Sequence, residues 1–149
     1  MPSMLITGAS AGIGAEIAQQ AAFAGYDVGV GYRTDRAGAE ATARAVEAAG
    51  QRAVLLAGDC AVAADVAALF ATHTDTLGAP NVVINNAGIV PPRGRSLMDA
   101  TVEEIDTVLA VNTNGAFYVA REAALAMALS RGGAGGVLIN ISSAAARLG

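Results

Sequence analysis

The chain has 149 residues, of which 54% are hydrophobic and 15% charged, a composition that suits one globular domain with a sizeable core and excludes a disordered protein. Its formal net charge of -4 argues against nucleic acid or an anionic membrane as a partner. Its single cysteine, Cys60, cannot form an internal disulfide, and no stretch has the apolar length of a membrane span, so we expect a cytoplasmic protein.

The first predicted elements are a strand, a glycine-rich turn and a helix. Residues 4–6 form a short apolar run, and after the turn apolar residues recur at helical spacing. The turn has the sequence Thr7-Gly8-Ala9-Ser10-Ala11-Gly12-Ile13-Gly14. Gly8 would allow a sharp turn, Gly12 a close approach of the backbone to a pyrophosphate, and Gly14 tight packing of the helix. The spacing alone is equally typical of an ordinary strand-to-helix turn, so support must come from the rest of the chain.

Further strands and helices alternate along the chain. Short apolar runs predict strands at residues 27–31, 53–57, 81–84 and 137–141. Helices are predicted over 36–49, over 62–77, from Thr101, where Glu104 completes a capping box, and over 112–130. His73 is expected at the edge of the third helix, in a structural role. The apolar positions of the helix that begins at Thr101 are Ile105, Val108 and Leu109. The inward candidates of the last helix include Phe117, Ala120, Ala124 and Met127.

Continuous apolar strands that alternate with helices predict a doubly wound α/β fold of the Rossmann type. Such strands are buried on both faces of a parallel sheet, and right-handed crossovers place helices on each side. We expect residues 1–149 to form one dinucleotide-binding domain with five strands. Ligands of this fold bind at the carboxyl ends of the strands, beside the first strand.

Five groups of residues follow these strand ends in an order typical of one enzyme family: residues 7–14, Asp59, the Asn-Asn-Ala-Gly sequence at 85–88, Asn112, and the Ile-Ser-Ser sequence at 141–143. Over essentially its whole length the chain resembles a classical short-chain dehydrogenase/reductase, and it is most similar to bacterial glucose 1-dehydrogenases and acyl-carrier-protein ketoreductases. The resemblance implies an NAD(P)(H)-dependent oxidoreductase that moves a hydride between nicotinamide and a carbonyl or secondary alcohol substrate. It also implies a homo-oligomer, a tetramer or dimer, paired through the long helix after Asn112.

The resemblance also assigns the cofactor-binding residues. The glycine turn would hold the pyrophosphate, Asp59 would accept a hydrogen bond from the adenine amino group, and Cys60 would lie beside the ring. Asp59 is also compatible with a capping role before the third helix, and Cys60 with that of a small buried residue rather than a nucleophile. The predicted cofactor-binding residues are Gly8, Ser10, Ala11, Gly12, Ile13, Gly14, Tyr32, Arg33, Asp59, Cys60, Asn86, Ala87 and Gly88, and no metal site is predicted.

The end of the second strand determines which cofactor is preferred. NAD-preferring relatives place an acidic residue where this chain has Tyr32. Arg33 follows, and a guanidinium suits the 2′-phosphate of NADP. Asp35 is a competing acid close by. We therefore predict a preference for NADP, with NAD as the alternative.

Two catalytic residues are predicted from the resemblance, Asn112 and Ser143. Asn112 would kink its helix and hold a water of the proton relay, although Asn114 and Gly115 could break the helix for structural reasons. Ser143 would orient the substrate oxygen, with Ser142 as the alternative. Residues 91–95 have a basic, proline-containing sequence that predicts a loop near the cleft; it could contact substrate, but a surface turn is the favoured interpretation.

The Tyr-x-x-x-Lys pair of the family is missing from this sequence, which contains no lysine. In the family the tyrosine exchanges a proton with the substrate, and the lysine lowers its pKa. We therefore expect a chain that stops before this pair and before the last strands and helices of the family. The alternative is that these 149 residues form a catalytically inactive dinucleotide-binding module.

Overall fold

Five parallel strands form one sheet at the centre of the protein, in a computed structural model that describes residues 1–90 and 96–144. The strands are β1 (Ser3–Ile6), β2 (Asp27–Tyr32), β3 (Ala53–Ala57), β4 (Val82–Asn85) and β5 (Val137–Asn140). Their order is β3-β2-β1-β4-β5, and neighbours are parallel. The chain builds outward from β1 to β3 and then returns to the other side of β1. This order confirms the predicted doubly wound fold and places its switch point between β1 and β4.

Helices cover both faces of the sheet. They are α1 (Gly12–Phe23), α2 (Arg36–Ala48), α3 (Ala63–Leu77), α4 (Val102–Leu109) and α5 (Gly115–Met127), and a π-helical segment, Ala110–Asn114, joins α4 to α5. Leu5 of β1 packs in the core formed with α3 and α5, whereas its neighbour Ile6 packs in the core formed with α1 and α2. Because successive strand residues point to opposite faces, one short strand supplies both cores.

Helix α4 begins where the sequence predicts, but it is less buried than expected. Thr101 Oγ1 accepts from the Glu104 N–H at 3.2 Å, and Glu104 Oε2 accepts from the Thr101 N–H at 2.9 Å, which confirms the capping box. Its apolar positions do not form a buried stripe, because Ile105 is 40% and Leu109 51% exposed and Val108 is only half-buried. Among the described elements, α4 contacts only the π-helical segment that continues it, so no other described helix or strand covers these side chains.

The prediction for α5 is also partly wrong. Phe117 is 72% exposed and Ala124 is exposed, whereas Met127 is buried as predicted. The buried stripe is Gly115, Val119, Ala123 and Met127, at four-residue spacing. Phe117 is two residues from Gly115, about 200° around the helix, and so it points away from the core.

A buried polar cluster lies at the amino ends of β1 and β2. His73 of α3 is fully buried rather than at the helix edge as predicted, and its Nε2 lies 3.1 Å from Ser3 Oγ. Gly29 of β2 makes room for the ring, because a Cβ there would overlap His73 Nδ1. Asp27, also fully buried, accepts from the Arg52 N–H at 2.8 Å and from the Arg52 guanidinium at 2.7 Å. This end of the sheet is therefore tied together by polar contacts.

Among the described strands, β5 lies at one edge of the sheet. Val137 is 54% and Ile139 43% exposed, so this edge strand presents apolar side chains at the surface. Within the ranges 1–90 and 96–144, no helix has the length and hydropathy needed to cross a membrane.

Candidate functional site

The glycine turn adopts backbone conformations that favour glycine. Gly8 and Gly12 have φ of 64° and 57°, in the left-handed region that other residues rarely adopt. A Cβ at Gly14 would overlap the Gly8 carbonyl oxygen and lie 2.6 Å from Asn86 Nδ2, so α1 can approach the turn only because residue 14 is glycine. A Cβ at Gly12, in contrast, would meet nothing within 4 Å. The Gly12 side of the turn is therefore open.

Thr7 joins this turn to the carboxyl end of β4. Its Oγ1 accepts from the Asn86 and Ala87 backbone N–H groups, each at 3.0 Å. In return, Asn86 Nδ2 donates to the Thr7 and Gly8 carbonyl oxygens, each at 3.0 Å. We call this set of contacts the Thr7–Asn86 junction. No role for Thr7 was predicted from the sequence. The feature that could have indicated one is a hydroxyl side chain directly after an apolar strand.

Asn112 lies in the π-helical segment, where the sequence predicts a break in the helix. Its Oδ1 accepts from the Ile89 N–H at 2.9 Å, and its Nδ2 donates to the Ile89 carbonyl oxygen at 2.8 Å. Both polar atoms of the side chain therefore hold the backbone that follows Gly88. Asn114, the alternative breaking residue, ends the same segment and is exposed.

A cleft opens at the carboxyl ends of β1, β2, β3 and β4. It brings together most of the predicted cofactor residues, namely Gly8, Ser10, Tyr32, Arg33, Asp59, Cys60, Ala87 and Gly88. Ala11, Gly12 and Ile13 are exposed at the start of α1 beside it, and Gly14 and Asn86 lie behind the turn. The lining residues that sequence analysis missed include Thr34, Ile89 and Val111. Their residue types carry no functional signal, and each directly neighbours a predicted residue in the sequence.

Charged side chains lie at the outer end of the cleft. Arg33 Nη1 is 3.5 Å from Asp59 Oδ2. Asp35 Oδ1 accepts from the Gly38 N–H at 3.0 Å and so caps α2. The capping role considered for Asp59 is wrong, because the residue before α3 is Val62 and Asp59 Oδ1 instead accepts from the Ala61 N–H at 2.9 Å.

Cys60 forms part of the cleft wall as a neutral thiol. Burial raises its pKa to about 11, and the carboxylates of Asp59 and Asp65 add to the rise because they oppose a second negative charge. The thiolate is the nucleophilic form of cysteine, so this thiol is unreactive near neutral pH. The geometry agrees with the interpretation of Cys60 as a small packing residue.

Ser143 lies beyond the carboxyl end of β5, outside the residues that line the cleft, and its side chain is exposed. The Ile141 N–H donates to the Asn85 carbonyl oxygen at 3.0 Å, and Asn85 Nδ2 donates to Asn140 Oδ1 at 3.0 Å. These bonds keep the end of β5 beside the end of β4, on the same edge of the sheet as the cleft. The basic loop at 91–95 lies outside the described residues.

The Thr7–Asn86 junction and the Asn112 contacts with Ile89 bring the glycine turn and the chain after β4 together at the switch point. The family model for short chain dehydrogenases matches residues 2–149. This chain belongs to the short-chain dehydrogenase family. The family predicted from the sequence is thereby confirmed.

The relatives of this chain are longer proteins, and the chain spans a little over half of their length. It is 38% identical to the uncharacterized oxidoreductase YgfF of Escherichia coli and 36% identical to the 3-oxoacyl-[acyl-carrier-protein] reductase FabG of Staphylococcus aureus. The alignments cover 100% and 99% of this chain, but 60% and 58% of those relatives. A crystal structure of a short chain dehydrogenase from Burkholderia cenocepacia in complex with NADP has a TM-score of 0.87 and 32% identity, covering 98% of this chain and 57% of that one.

Proposed function

We propose that this chain is the cofactor-binding part of an NAD(P)(H)-dependent oxidoreductase acting on a small carbonyl or secondary alcohol substrate. The observation that supports this most directly is the Thr7–Asn86 junction, which fixes the glycine turn and leaves the Gly12 side open at the switch point. When bound, the nicotinamide would supply or accept the hydride. The chain's own residues would bind the dinucleotide and orient it.

The start of α1 suits a pyrophosphate. Ala11 precedes α1 and gives no side-chain cap, and the first turn of α1 contains no acidic residue. By comparison, Asp35 caps α2 and Thr101 caps α4. The N–H groups of the first turn of α1 are thus available to an anion, and the helix dipole favours negative charge there.

We propose NADP as the preferred cofactor and NAD as the alternative. Arg33 reaches the outer end of the cleft with 53% of its side chain exposed, where a guanidinium would meet a 2′-phosphate. The competing acid, Asp35, is engaged as the cap of α2. The Burkholderia cenocepacia relative was crystallised with NADP, which supports this assignment.

Ser143 and Asn112 are the proposed residues for the chemistry. The Ser143 hydroxyl would hydrogen-bond the substrate oxygen. Both polar atoms of the Asn112 side chain bond to Ile89, so we propose that it serves the proton relay by holding this wall of the site in shape.

We further propose that the protein is a cytoplasmic homo-oligomer paired through α4 and α5, which expose Val102, Ile105, Leu109 and Phe117.

Two glycine variants test dinucleotide binding. Gly12 and Gly50 both have positive φ, 57° and 86°, and at both a Cβ would meet nothing within 4 Å. Gly12→Ala and Gly50→Ala should therefore lose similar stability, about 1 kcal/mol. Only Gly12→Ala should weaken NADP⁺ binding measured by calorimetry, roughly tenfold or more, since its methyl group takes the space proposed for the pyrophosphate. Equal affinities for the two variants would refute the assignment.

A catalytically inactive dinucleotide-binding module is the second candidate, favoured by the absence of lysine from the 149 residues. Loss of NADPH absorbance with a panel of small carbonyl compounds separates the two functions. Turnover, by this chain or by the longest chain that its gene encodes, supports the enzyme. Tight dinucleotide binding without turnover by either supports the module.

A further inference from the structure

An ion pair bridges the ends of two neighbouring strands at the outer end of the cleft. Arg33 follows β2 and Asp59 follows β3, and these strands are paired in register up to Tyr32 and Ala57. Arg33 Nη1 lies 3.5 Å from Asp59 Oδ2, and the two side chains are 53% and 31% exposed. Both residues line the cleft. We refer to this contact as the Arg33–Asp59 pair.

Of the two partners, Asp59 is the one that is held in place. Its backbone N–H donates to Asp65 Oδ2 at 2.9 Å, and its Oδ1 accepts from the Ala61 N–H at 2.9 Å. Only Oδ2 is directed at Arg33. The arginine side chain is long and 53% exposed, so we infer that it is the partner that moves.

The Arg33–Asp59 pair is weak enough to be exchanged. Its 3.5 Å separation exceeds that of a charge-assisted hydrogen bond, and its exposure places it among ion pairs that add little stability. A phosphate monoester has two negative charges and can accept two N–H groups of one guanidinium at once. It would therefore replace a singly charged carboxylate as the partner of Arg33.

We propose that Asp59 determines the preference between the two dinucleotides by competing with the 2′-phosphate for Arg33. With NAD bound, Arg33 would stay paired with Asp59, which would accept from the adenine amino group through a remaining lone pair. With NADP bound, Arg33 would turn to the 2′-phosphate, and the negative charge of Asp59, no longer neutralised, would repel that dianion. Asp59 thus lowers the preference for NADP that Arg33 creates. This inference rests on the proposed function, since it assumes that the cleft binds a dinucleotide.

Dissociation constants of NADP⁺ and NAD⁺ for the whole chain test this inference. Asp59→Asn should raise the preference for NADP⁺ roughly threefold to tenfold, because Arg33 is released and the repelling charge is removed. Asn retains an oxygen for the Ala61 N–H, so the fold of the turn is preserved. Arg33→Ala should lower the preference. In the Arg33→Ala background, Asp59→Asn should have a smaller effect than in the wild type, because no guanidinium remains to be released.

The matched control is Glu40→Gln, which removes one negative charge from the exposed Arg36–Glu40 pair, 2.8 Å apart on α2. It should leave the ratio of the two dissociation constants unchanged. The inference is overturned if Asp59→Asn leaves the ratio unchanged or lowers it, or if its effect is the same with and without Arg33. A wild-type protein that binds neither dinucleotide overturns the proposed function as well. Binding with an unchanged ratio overturns this inference alone.

Discussion

Thr7 shows how much one buried hydroxyl contributes to this site. The side chain is 1% exposed, and its oxygen is the acceptor for two backbone N–H groups at the end of β4. Without the Thr7 hydroxyl, the backbone N–H groups of Asn86 and Ala87 would lose their hydrogen-bond acceptor. Such a group costs about 1 to 3 kcal/mol when it is buried.

Thr7→Val keeps the shape of this side chain and removes its hydrogen bonds. We expect the free energy of unfolding to fall by about 2 kcal/mol or more, measured by urea denaturation. Thr7→Ser restores the hydroxyl and should recover most of that loss. A valine variant within about 0.5 kcal/mol of the wild type would show that the Thr7–Asn86 junction contributes little.

The sequence predicted the glycine turn but not the Thr7–Asn86 junction that holds it in place. Gly8, Gly12 and Gly14 were recognisable because backbone conformation and close packing restrict a position to glycine, and that restriction is local. The partners of Thr7 lie on another strand, far along the chain. The pairing of Arg33 with Asp59 was equally inaccessible, because it depends on β2 and β3 being neighbours.

At the scale of elements, the π-helical segment links α4 to α5 and fixes the loop after β4. Asn112 makes two hydrogen bonds to Ile89, so the segment and the loop are one unit. The sequence located the break in the helix from the asparagine. It could not give the orientation of α5, because the buried stripe facing α3, which is Gly115, Val119, Ala123 and Met127, leaves out Phe117, the largest apolar side chain of the helix.

Asn112→Asp tests this unit. The carboxylate still accepts from the Ile89 N–H, but it cannot donate to the Ile89 carbonyl oxygen and repels it. We expect the Ile89 amide to exchange its hydrogen roughly twofold to tenfold faster, measured by hydrogen exchange. Asn114→Asp makes the same change two residues later in the segment and should leave Ile89 protected. Equal protection in both variants would contradict the assignment of Asn112.

At the scale of the whole molecule, the single histidine should make stability depend on pH. Burial lowers the pKa of His73 to about 4 from 6.5, while the charge of Asp27 acts in the opposite direction. Asp27 itself is buried, which opposes its ionisation, but the hydrogen bonds and charge of Arg52 outweigh this and lower its pKa. The unfolded chain thus binds a proton on His73 below pH 6.5 that the folded chain binds only near pH 4.

The free energy of unfolding should therefore be steady above pH 6.5 and fall by up to about 1.4 kcal/mol per pH unit toward pH 4. Below that range, protonation of Asp27 removes further stability. Glutamine does not titrate, so the urea midpoint of His73→Gln should change less between pH 6.5 and 4.5 than that of the wild type. An identical slope for the two proteins would exclude His73 as the cause.

Assembly is also a property of the whole molecule. Phe117 on α5 is 72% exposed and Phe23 on α1 is 73% exposed, so they form a matched pair on opposite sides of the sheet. If copies pair through α4 and α5, Phe117→Glu should shift the protein to a smaller species in sedimentation velocity, because it places a charge in the interface. Phe23→Glu should sediment like the wild type. A monomeric wild type, or an equal effect of both changes, would contradict the proposed pairing.

The contact between Gly29 and His73 has a consequence for how sequences of this kind diverge. A Cβ at Gly29 would overlap His73 Nδ1 and lie 2.8 Å from Leu56 Cδ1. A side chain can therefore enter position 29 only if position 73 becomes smaller in the same lineage. The two positions should covary among homologues, and in redesign they should be exchanged together, as one unit of sequence.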